Sequence, residues 1–476
     1  LASSVTVLVA IFFTVIAVGT KSGLEPVTCA VVGALLGFLL FNVYPAKVFM
    51  GDTGSLALGG FVASTAYMLR MPIFILIVGM IYFVEVLSVM IQVTYFKKTG
   101  GKRFFIFNYY CNSLSDRAAG VIGGRIMDVR DQNVLVFGSG KSGIGACRLL
   151  EHRGASVILY DGNAALCAEE LKEKIGCKSI EVILGELPEE VIEKLTLAVL
   201  SPGVPTDIEP VNRMREKGVR IWGEIELAYT YGKGDVLAIT GTNGKTTTTT
   251  LLGEIMKAWK ESVFVVGNIG NPYTEEVEKM TGESVTVAEI SSFQLETIEK
   301  FCPKISAILN ITPDHLNRHH TMEAYIEAKK AIAKNQGPEE YCVLNYEDEV
   351  LRSFGEEIQT KVFYFSSKRT LSRGIYLENG NMIYRDGEQV TLCRVEELKL
   401  LGVHNYENVM AAAAMALLYK VPVEVVREVI LKFTGVEHRI EFVAEKQGVF
   451  YYNDSKGTNP DAAIRGIRAM NRPTCL

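Results

Sequence analysis

The sequence predicts an α/β protein built on parallel sheets, preceded by an apolar α-helical fragment. Glycine-rich turns at residues 138–143 and 240–245 each follow an apolar, strand-like run and precede a helix-like segment. Strand-like and helix-like segments alternate between residues 131 and 223, which is typical of a parallel sheet. Long apolar runs occupy the first hundred residues, and about 20 apolar residues are enough for one membrane helix.

Length and composition limit the classes of protein. A chain of 476 residues should hold about three domains. The 49 basic and 54 acidic residues nearly balance, which argues against bulk electrostatic binding to nucleic acid. The nine cysteines include no C-x-x-C pair, so we interpret them as reduced thiols of a cytoplasmic protein.

The excess of apolar residues that gives a mean hydropathy of +0.19 lies in the first hundred positions. Three runs carry no charge: residues 1–20, 26–46 and 53–69. Residues 71–96 contain only Glu85, and the basic residues at 97–103 follow. We therefore predict three or four membrane spans, with the last one ending in the cytoplasm, that tether a cytoplasmic part to the inner (plasma) membrane.

The loop before the third run reads K-V-F-M-G-D-T-G-S-L-A-L-G-G at residues 47–60. Asp52 at a membrane surface could hold Mg²⁺ beside a diphosphate, and an ordinary Asx turn is an equally open explanation. The string resembles the polyprenyl-phosphate transferases of the phospho-N-acetylmuramoyl-pentapeptide transferase type, over residues 1 to about 103. That resemblance implies that Asp52 is a metal-site or catalytic aspartate.

Two parts of the transferase pattern do not match. The paired aspartates of that family would precede residue 1, and its histidine run is replaced by F-F-I-F-N-Y-Y-C at residues 104–111. We expect a remnant without transferase activity, joined to its neighbour by fusion or frameshift. Residues 104–130 have no clear period and read as a linker.

The first soluble segment carries a dinucleotide-binding fingerprint. A strand at residues 133–137 leads into G-S-G-K-S-G, which fits G-x-G-x-x-G, and a helix follows through Leu150. A second strand, residues 156–160, ends at Asp161. This pattern places a diphosphate on the helix N-terminus and Asp161 near a ribose, which is typical of an NAD-dependent enzyme. A tight turn that binds no ligand is the alternative explanation.

A second turn, A-V-L-S-P-G-V-P at residues 198–205, also follows a strand. Ligands of open α/β sheets bind beyond the carboxyl ends of the strands. The candidate binding residues of this domain are Gly140, Lys141, Ser142, Asp161, Ser201, Pro202 and Gly203.

The central motif is I-T-G-T-N-G-K-T-T at residues 239–247, between an apolar strand and a helix-like segment at 248–259. Backbone N–H groups and the helix dipole can hold phosphate, Lys245 adds a cation, and the Thr246 hydroxyl can bind Mg²⁺. The spacing departs from G-x-x-x-x-G-K-[ST], because its first glycine falls on Ile239. We predict an ATP site, against the alternative of a glycine-rich turn with a surface lysine.

Three more segments, residues 266–270, 285–296 and 307–319, each consist of a strand-like run followed by a cluster of polar residues. We expect them to gather at one edge of a parallel sheet, where Glu289 could hold Mg²⁺ and His315 could be a second ligand. Lys329 and Lys330 lie on a later helix, and the sequence alone places such a pair on a solvated face.

These motifs together resemble the Mur ligases, ATP-dependent enzymes that add amino acids to UDP-N-acetylmuramate in peptidoglycan synthesis. The resemblance runs from about residue 131 to 476 and includes H-N-Y-E-N at 404–408, ahead of a helix at 409–418, and E-H-R-I-E at 437–441. The string N-D-S-K-G-T-N-P at 453–460 is similar to that of the members that use D-glutamate. Folylpolyglutamate ligases share much of the ATP site.

The resemblance implies ATP, Mg²⁺, UDP-N-acetylmuramoyl-L-alanine and D-glutamate as ligands, an acyl-phosphate intermediate, and UDP in place of NAD on the first loop. It also implies that Lys329 is carbamylated and so becomes a carboxylate-like Mg²⁺ ligand. Asn268 and His315 would meet the substrate or the metal. The catalytic set is Lys245, Glu289, His315 and Lys329; Thr246, Glu289, His315 and Lys329 would hold metal. The ATP-binding set is Gly241, Thr242, Asn243, Gly244, Lys245, Thr246, Thr247, Asn405, Asn408, Arg439 and Asp454.

We predict the following domains: a transmembrane fragment at 1–103, a linker at 104–130, a Rossmann-like UDP-substrate domain at 131–223, a P-loop-type ATPase domain at 224–434, and the truncated start of a third α/β domain at 435–476. We expect the site for the amino acid to be largely missing from that last part. Two alternatives remain at this stage: an incomplete membrane transferase, and a non-catalytic, membrane-tethered nucleotide binder.

Overall fold

The computed structural model describes residues 2–42, 52–70, 128–177, 179–268, 270–455, 460–470 and 473–474. The chain divides into two compact units, Leu1–Ile126 and Met127–Leu476.

The first unit contains three described helices: α1 (Ala2–Thr20), α2 (Glu25–Asn42) and α3 (Asp52–Met68). Helix α1 packs against α2 and α3 around an apolar cluster that includes Phe13 and Ala66. The side chain of Asp52 and the predicted fourth span at residues 71–96 lie outside the described residues.

The prediction of membrane spans is not supported by these helices. Within the described ranges, no helix combines the length and the apolar character needed to cross a bilayer.

The second unit begins with a five-stranded parallel sheet in the order β3-β2-β1-β4-β5. Its strands are β1 (Asn133–Phe137), β2 (Ser156–Asp161), β3 (Glu181–Leu184), β4 (Leu197–Leu200) and β5 (Arg220–Gly223). Its helices are α4 (Lys141–His152), α5 (Ala168–Ile175), α6 (Glu189–Ile192) and α7 (Glu209–Glu216). The strand order reverses between β1 and β4, so the turns after these two strands meet, as expected for a ligand site.

The second sheet has nine strands in the order β14-β13-β12-β11-β10-β9-β6-β8-β7. The strands are β6 (Asp235–Thr240), β7 (Val263–Gly267), β8 (Val285–Glu289), β9 (Ile305–Ile308), β10 (Tyr341–Asn345), β11 (Lys361–Ser366), β12 (Gly374–Glu378), β13 (Asn381–Asp386) and β14 (Glu388–Arg394). The pairs from β7 to β12 are parallel, and β12, β13 and β14 form an antiparallel meander. Because β6 lies between β8 and β9, the turn after β6 is next to the ends of both.

The helices around this sheet are α8 (Glu224–Tyr231), α9 (Lys245–Lys257), α10 (Tyr273–Glu276), α11 (Ser292–Leu295), α12 (Leu316–His319), α13 (Met322–Lys330), α14 (Glu349–Glu357), α15 (Val403–Leu418) and α16 (Val423–Lys432). Short 3₁₀ turns occur at Val277–Lys279, Ala331–Ala333 and Val395–Glu397. All residues of α8 are buried. One apolar core runs under both sheets and contains Val136 from β1, Ile225 from α8 and Ala288 from β8.

The predicted bounds of helices α9 and α15 were wrong. Helix α9 begins at Lys245 rather than at residue 248 and ends two residues before the predicted end; α15 begins at Val403 rather than at residue 409. In both cases a glycine with positive φ, Gly244 at 89° and Gly402 at 94°, ends the preceding turn, and the helix starts at the next residue. The H-N-Y-E-N string is therefore on the first turns of α15, not ahead of the helix.

The last described elements are the strands β15 (Glu441–Lys446) and β16 (Val449–Asn453) and the helix α17 (Pro460–Ala469). The sequence predicts the first strands of a doubly wound unit here, but β15 and β16 pair antiparallel. Gln447 and Gly448, at φ 54° and 76°, form the two-residue turn that makes this hairpin. Residues 456–459, inside the D-S-K-G-T-N string, lie outside the described residues.

Candidate functional site

The loop between β6 and α9 is held in shape by neighbouring side chains. The Asn243 N–H donates to Asn310 Oδ1 at 2.9 Å, and Asn310 Nδ2 donates back to the Asn243 carbonyl at 3.0 Å. Gly244 has φ 89°, which favours glycine, and a Cβ there would lie 2.1 Å from Asn408 Oδ1, so a larger residue would strain the turn and displace the Asn408 side chain. The loop is thus preformed at the N-terminus of α9, where backbone N–H groups can receive an anion.

Two lysines converge beneath this loop. Lys245 Nζ donates to the carbonyls of Gly241 and Thr242, both at 2.9 Å. Lys329 Nζ donates to the Gly241 carbonyl at 2.7 Å and lies 4.7 Å from the centre of the Tyr325 ring.

The sequence-based placement of Lys329 on a solvated face was wrong, because the residue is only 2% exposed. It packs between the Tyr325 ring and the glycine-rich loop. The adjacent Lys330 instead pairs with Glu327 at 3.2 Å near the surface of α13.

Burial lowers the pKa of both lysines. It lowers the pKa of Lys329 well below the usual 10.5, and the neighbouring Lys245 lowers it further, while Asp314 only partly opposes the change. Burial also lowers the pKa of Lys245, against the attraction of Glu289. The larger shift makes the neutral amine of Lys329 more accessible, and a neutral amine can act as a nucleophile.

Glu289 ends β8 beside the loop and is buried. Its Oε1 accepts a hydrogen bond from Asn268 Nδ2 at 2.9 Å, whereas its buried Oε2 has no hydrogen-bond partner in the described part of the chain. Thr246 Oγ1 accepts from Arg439 Nη2 at 3.4 Å. Since Mg²⁺ prefers oxygen ligands, Glu289 and Thr246 suit that ion.

His315 is placed less favourably for a metal. It precedes α12 at φ 53°, its side chain is half-exposed, and its ring packs edge-on against Phe293 with 5.0 Å between centroids. Its Nε2 lies 3.8 Å from an oxygen of Asp314. Across the described ranges, no group of three or more His, Cys, Asp and Glu side chains is arranged to hold a metal ion.

A cleft of about 640 Å³ adjoins the loop. Several of the predicted ATP-binding residues line it: Asn243, Gly244, Thr247, Asn405, Asn408, Arg439 and Asp454. On the first turns of α15, Asn408 Nδ2 donates to Asn405 Oδ1 at 3.3 Å. The Asp454 carboxylate accepts from the Ile440 N–H at 3.2 Å, which ties the β15–β16 hairpin to its own entry segment.

The glycine-rich loop after β1 has a different arrangement. The Asp161 carboxylate accepts hydrogen bonds from the N–H and the hydroxyl of Ser139, at 2.9 and 2.6 Å. Burial raises the pKa of Asp161, but the hydrogen bonds from Ser139 and Asn163 outweigh that effect, so the net shift is downward. Lys141, by contrast, is exposed on the first turn of α4.

The two turns of the first sheet meet. Ser201 Oγ donates to the Gly138 carbonyl at 3.2 Å, and Pro202 and Gly203 continue from it in the turn that the Val204 N–H closes on the Ser201 carbonyl at 2.9 Å. Gly140 and Ser142 begin α4 on the facing loop. The candidate residues of this domain therefore lie along one edge of the sheet.

Sequence reasoning missed three residues that shape the central site. Tyr325 shares a 3.0 Å hydrogen bond between its hydroxyl and Thr242 Oγ1. Asn310 clamps the loop, and its position directly after a strand was an available signal. Phe365 lines the cleft, but nothing in its alternating strand distinguishes it from a core residue.

Three sequence families match parts of the chain. The Mur ligase middle domain matches residues 239–416, and the Mur ligase MurD-like N-terminal domain matches residues 132–223. Glycosyl transferase family 4 matches residues 1–70, which agrees with the transferase-like fragment predicted there.

Curated relatives match about three quarters of the chain. The UDP-N-acetylmuramoylalanine–D-glutamate ligases of Lachnoclostridium phytofermentans, Lachnospira eligens and Clostridioides difficile are 56%, 53% and 46% identical to it. Each alignment covers 74% of this chain and 78% of the relative. The chain therefore belongs to the Mur ligase family, among the UDP-N-acetylmuramoylalanine–D-glutamate ligases.

Proposed function

We propose that this chain joins D-glutamate to UDP-N-acetylmuramoyl-L-alanine at the expense of ATP. One structural observation carries the proposal: Lys245 and Lys329 meet on the Gly241 carbonyl beneath a preformed phosphate loop. The buried, unpartnered oxygen of Glu289 lies at the end of the strand next to that loop. Such an arrangement suits phosphoryl transfer, which depends on positioning and on the neutralisation of charge.

The first sheet would hold the UDP-linked substrate. The N–H groups at the start of α4, around Gly140, Lys141 and Ser142, suit a diphosphate. Asp161 orders this loop through Ser139 and lies at the end of β2, near the expected ribose. The turn at residues 201–203 would face the muramoyl side of the substrate.

The chemistry then proceeds in two steps. An oxygen of the L-alanine carboxylate attacks the γ-phosphorus of ATP, and the bond from that phosphorus to the β-phosphate oxygen breaks. ADP departs, and the substrate now carries an acyl phosphate. The neutral amine of D-glutamate attacks the acyl carbon, loses a proton, and phosphate departs with the original carboxylate oxygen. Lys245 and the loop N–H groups would stabilise the charge on the transferred group.

The remaining candidate residues would support these steps. Arg439 and Asp454, in the cleft, would meet the phosphates and the ribose of ATP, with Asn405 and Asn408 on the adenine side. Bound Mg²⁺ would neutralise phosphate charge, with Glu289 and Thr246 as its protein ligands. A neutral Lys329 amine can combine with CO₂ and release a proton to give a carbamate, which would add an anionic oxygen ligand. Asn268 and His315 would lie at the rim of the metal site.

The test is phosphate release by the full chain, with UDP-N-acetylmuramoyl-L-alanine and D-glutamate supplied together or singly. The proposal predicts release only when both are present with ATP, and one amide product for each phosphate. Nucleotide binding without release would instead favour the non-catalytic nucleotide binder. Release that requires neither substrate would contradict the proposal.

A further inference from the structure

A buried polar cluster lies away from the nucleotide cleft, where the first sheet meets the second. Its centre is the carboxylate of Glu296, directly after α11. This carboxylate accepts hydrogen bonds from Arg318 Nη2 at 2.8 Å, from Arg318 Nε at 3.3 Å and from Thr206 Oγ1 at 3.0 Å. Thr206 belongs to the segment after β4, so the cluster bridges the two sheets.

Arg318 contacts the candidate substrate loop itself. Its Nη2 also donates to the backbone carbonyl of Val204 at 3.0 Å, and its guanidinium lies 5.0 Å from the centre of the Phe293 ring. Glu296 and Phe293 together fix the plane of this guanidinium. A guanidinium held in one plane can hold a carbonyl at a fixed place.

Burial makes the Arg318–Glu296 ion pair stronger than the neighbouring Asp207–His320 pair. The side chains of Arg318 and Glu296 are 11% and 14% exposed, so water screens the pair little. The nearby Asp207–His320 pair joins the same two segments at 3.0 Å, but its side chains are 59% and 68% exposed. Exposed pairs of that kind contribute little.

A second side chain lies beside Glu296. His319 Nε2 lies 2.9 Å from Ser292 Oγ, and His319 Nδ1 lies 3.5 Å from Glu296 Oε1. Burial lowers the pKa of His319, although Glu296 opposes the change. A neutral imidazole leaves Arg318 as the cation that balances Glu296.

We propose that Glu296 is a positioning residue for ligation. Through Arg318 and Thr206 it holds the loop at residues 201–206 against the nucleotide-binding sheet, at the spacing at which the substrate carboxylate meets ATP. The inference rests on the proposed function, and Glu296 itself touches neither ligand. Positioning of this kind matters because a misplacement of about 1 Å can cost about a hundredfold in rate.

The first test is the steady-state kinetics of Glu296→Gln. This change keeps the shape and an acceptor for Thr206 but removes the charge that orients Arg318. We expect KM for UDP-N-acetylmuramoyl-L-alanine to rise about tenfold, since a hydrogen bond to a charged group is lost. We also expect kcat to fall by about tenfold or more, with KM for ATP unchanged; Arg318→Lys should act in the same direction.

Glu226→Gln is the matched control. Glu226 is also buried, and it accepts three backbone N–H bonds, at 2.7 to 3.0 Å, from residues 299–301. Its loss should lower the melting temperature without changing KM for the UDP-linked substrate. If Glu226→Gln and Glu296→Gln changed the kinetics in the same way, Glu296 would be a structural residue only, and the proposal would be overturned.

Hydrogen–deuterium exchange separates this inference from the proposed function, because it needs no substrate. In Glu296→Gln, amides of residues 201–206 should exchange about tenfold faster than in the wild type, whereas Glu226→Gln should leave them unchanged. A wild-type chain that does not ligate would remove the proposed function alone. Unchanged exchange in Glu296→Gln would overturn the positioning role, whatever the activity.

Discussion

The two glycine-rich loops of the second unit share a backbone plan but differ in where their charged side chains lie. Each follows a parallel strand and opens a helix, at residues 138–143 and 241–245. In the first loop, Lys141 is exposed and Asp161 is occupied by hydrogen bonds from Ser139. In the second, Lys245 is turned onto backbone carbonyls beneath the loop.

We interpret this difference as a division between a loop that binds substrate and a loop that takes part in the reaction. A loop whose cation remains in water can hold a ligand, but it exerts little electrostatic force on it. A loop with a desolvated cation beneath it acts strongly on charge that develops during a reaction. We infer that the first loop selects the substrate and the second drives phosphoryl transfer, and variants of both loops test this division.

The largest effect is expected from Lys245→Met. Loss of this cation should lower kcat for phosphate release by about a thousandfold, because it removes charge stabilisation in the transition state. Lys141→Met, on the first loop, should act mainly on KM for the UDP-linked substrate. A Lys245→Met enzyme that retained more than about a tenth of the wild-type kcat would contradict the division between the loops.

The next effect concerns Lys329. Lys329→Met should lower kcat by about a hundredfold, since it removes a buried polar group at the reacting centre. Lys330→Met is the control on the same helix, because Lys330 pairs with Glu327 and its Nζ lies 5.3 Å from the centre of the Phe354 ring. Equal losses in the two variants would remove Lys329 from the catalytic set.

Glycine substitutions test the shape of each loop. A Cβ at position 143 would lie 1.8 Å from the Gly138 carbonyl oxygen, and one at position 244 would lie 2.1 Å from Asn408 Oδ1. Gly143→Ala and Gly244→Ala should each lower the free energy of unfolding by up to about 3 kcal/mol. At Gly140 a Cβ meets nothing within 4 Å, so Gly140→Ala should unfold at nearly the wild-type urea concentration.

Asp161→Asn should have a smaller, substrate-specific effect. The amide keeps an acceptor for Ser139 but loses the negative charge, so the loop is held less firmly. KM for UDP-N-acetylmuramoyl-L-alanine should rise about tenfold, which is about 1.4 kcal/mol, with kcat nearly unchanged. A larger effect on KM for ATP than on KM for the UDP-linked substrate would contradict the assignment of this loop.

The smallest expected effect is the pH dependence of stability that Lys329 causes. The pKa of Lys329 is lowered in the folded state relative to 10.5. At pH values between its folded-state and unfolded-state pKa, the unfolded chain therefore binds more protons at this residue than the folded chain does. Stability linked to this residue therefore rises with pH through that window, and below it the cost of the buried charge is fully present. The melting temperature of Lys329→Met minus that of the wild type should fall as pH rises; a difference independent of pH would contradict this.

The strand–turn–helix units were accessible from sequence because they depend on local order. Both glycine-rich turns, β1 and the approach of the turns after β1 and β4 follow from apolar runs and the rules of parallel sheets. The gathering of Glu289 and Asn310 beside β6 has the same origin. These features need no knowledge of distant contacts.

Other features depend on packing between distant segments. Lys329 and Lys330 are adjacent and chemically identical, and only the docking of α13 against Tyr325 and Gly241 decides which one is buried. The Glu296–Arg318 pair joins separate helices to a third segment, and no spacing rule relates them. The start of α15 was missed because a glycine at positive φ can end a turn or cap a helix, and the sequence does not distinguish the two.

The most direct measurement follows the carboxylate oxygen of the substrate. UDP-N-acetylmuramoyl-L-alanine labelled with ¹⁸O in its alanine carboxylate is incubated with the full chain, ATP and D-glutamate, and the released phosphate is analysed by mass spectrometry. Activation of that carboxylate on the central loop predicts one ¹⁸O atom in each phosphate released with product. Product formation with unlabelled phosphate would contradict the acyl-phosphate route, and with it the roles assigned to the two loops.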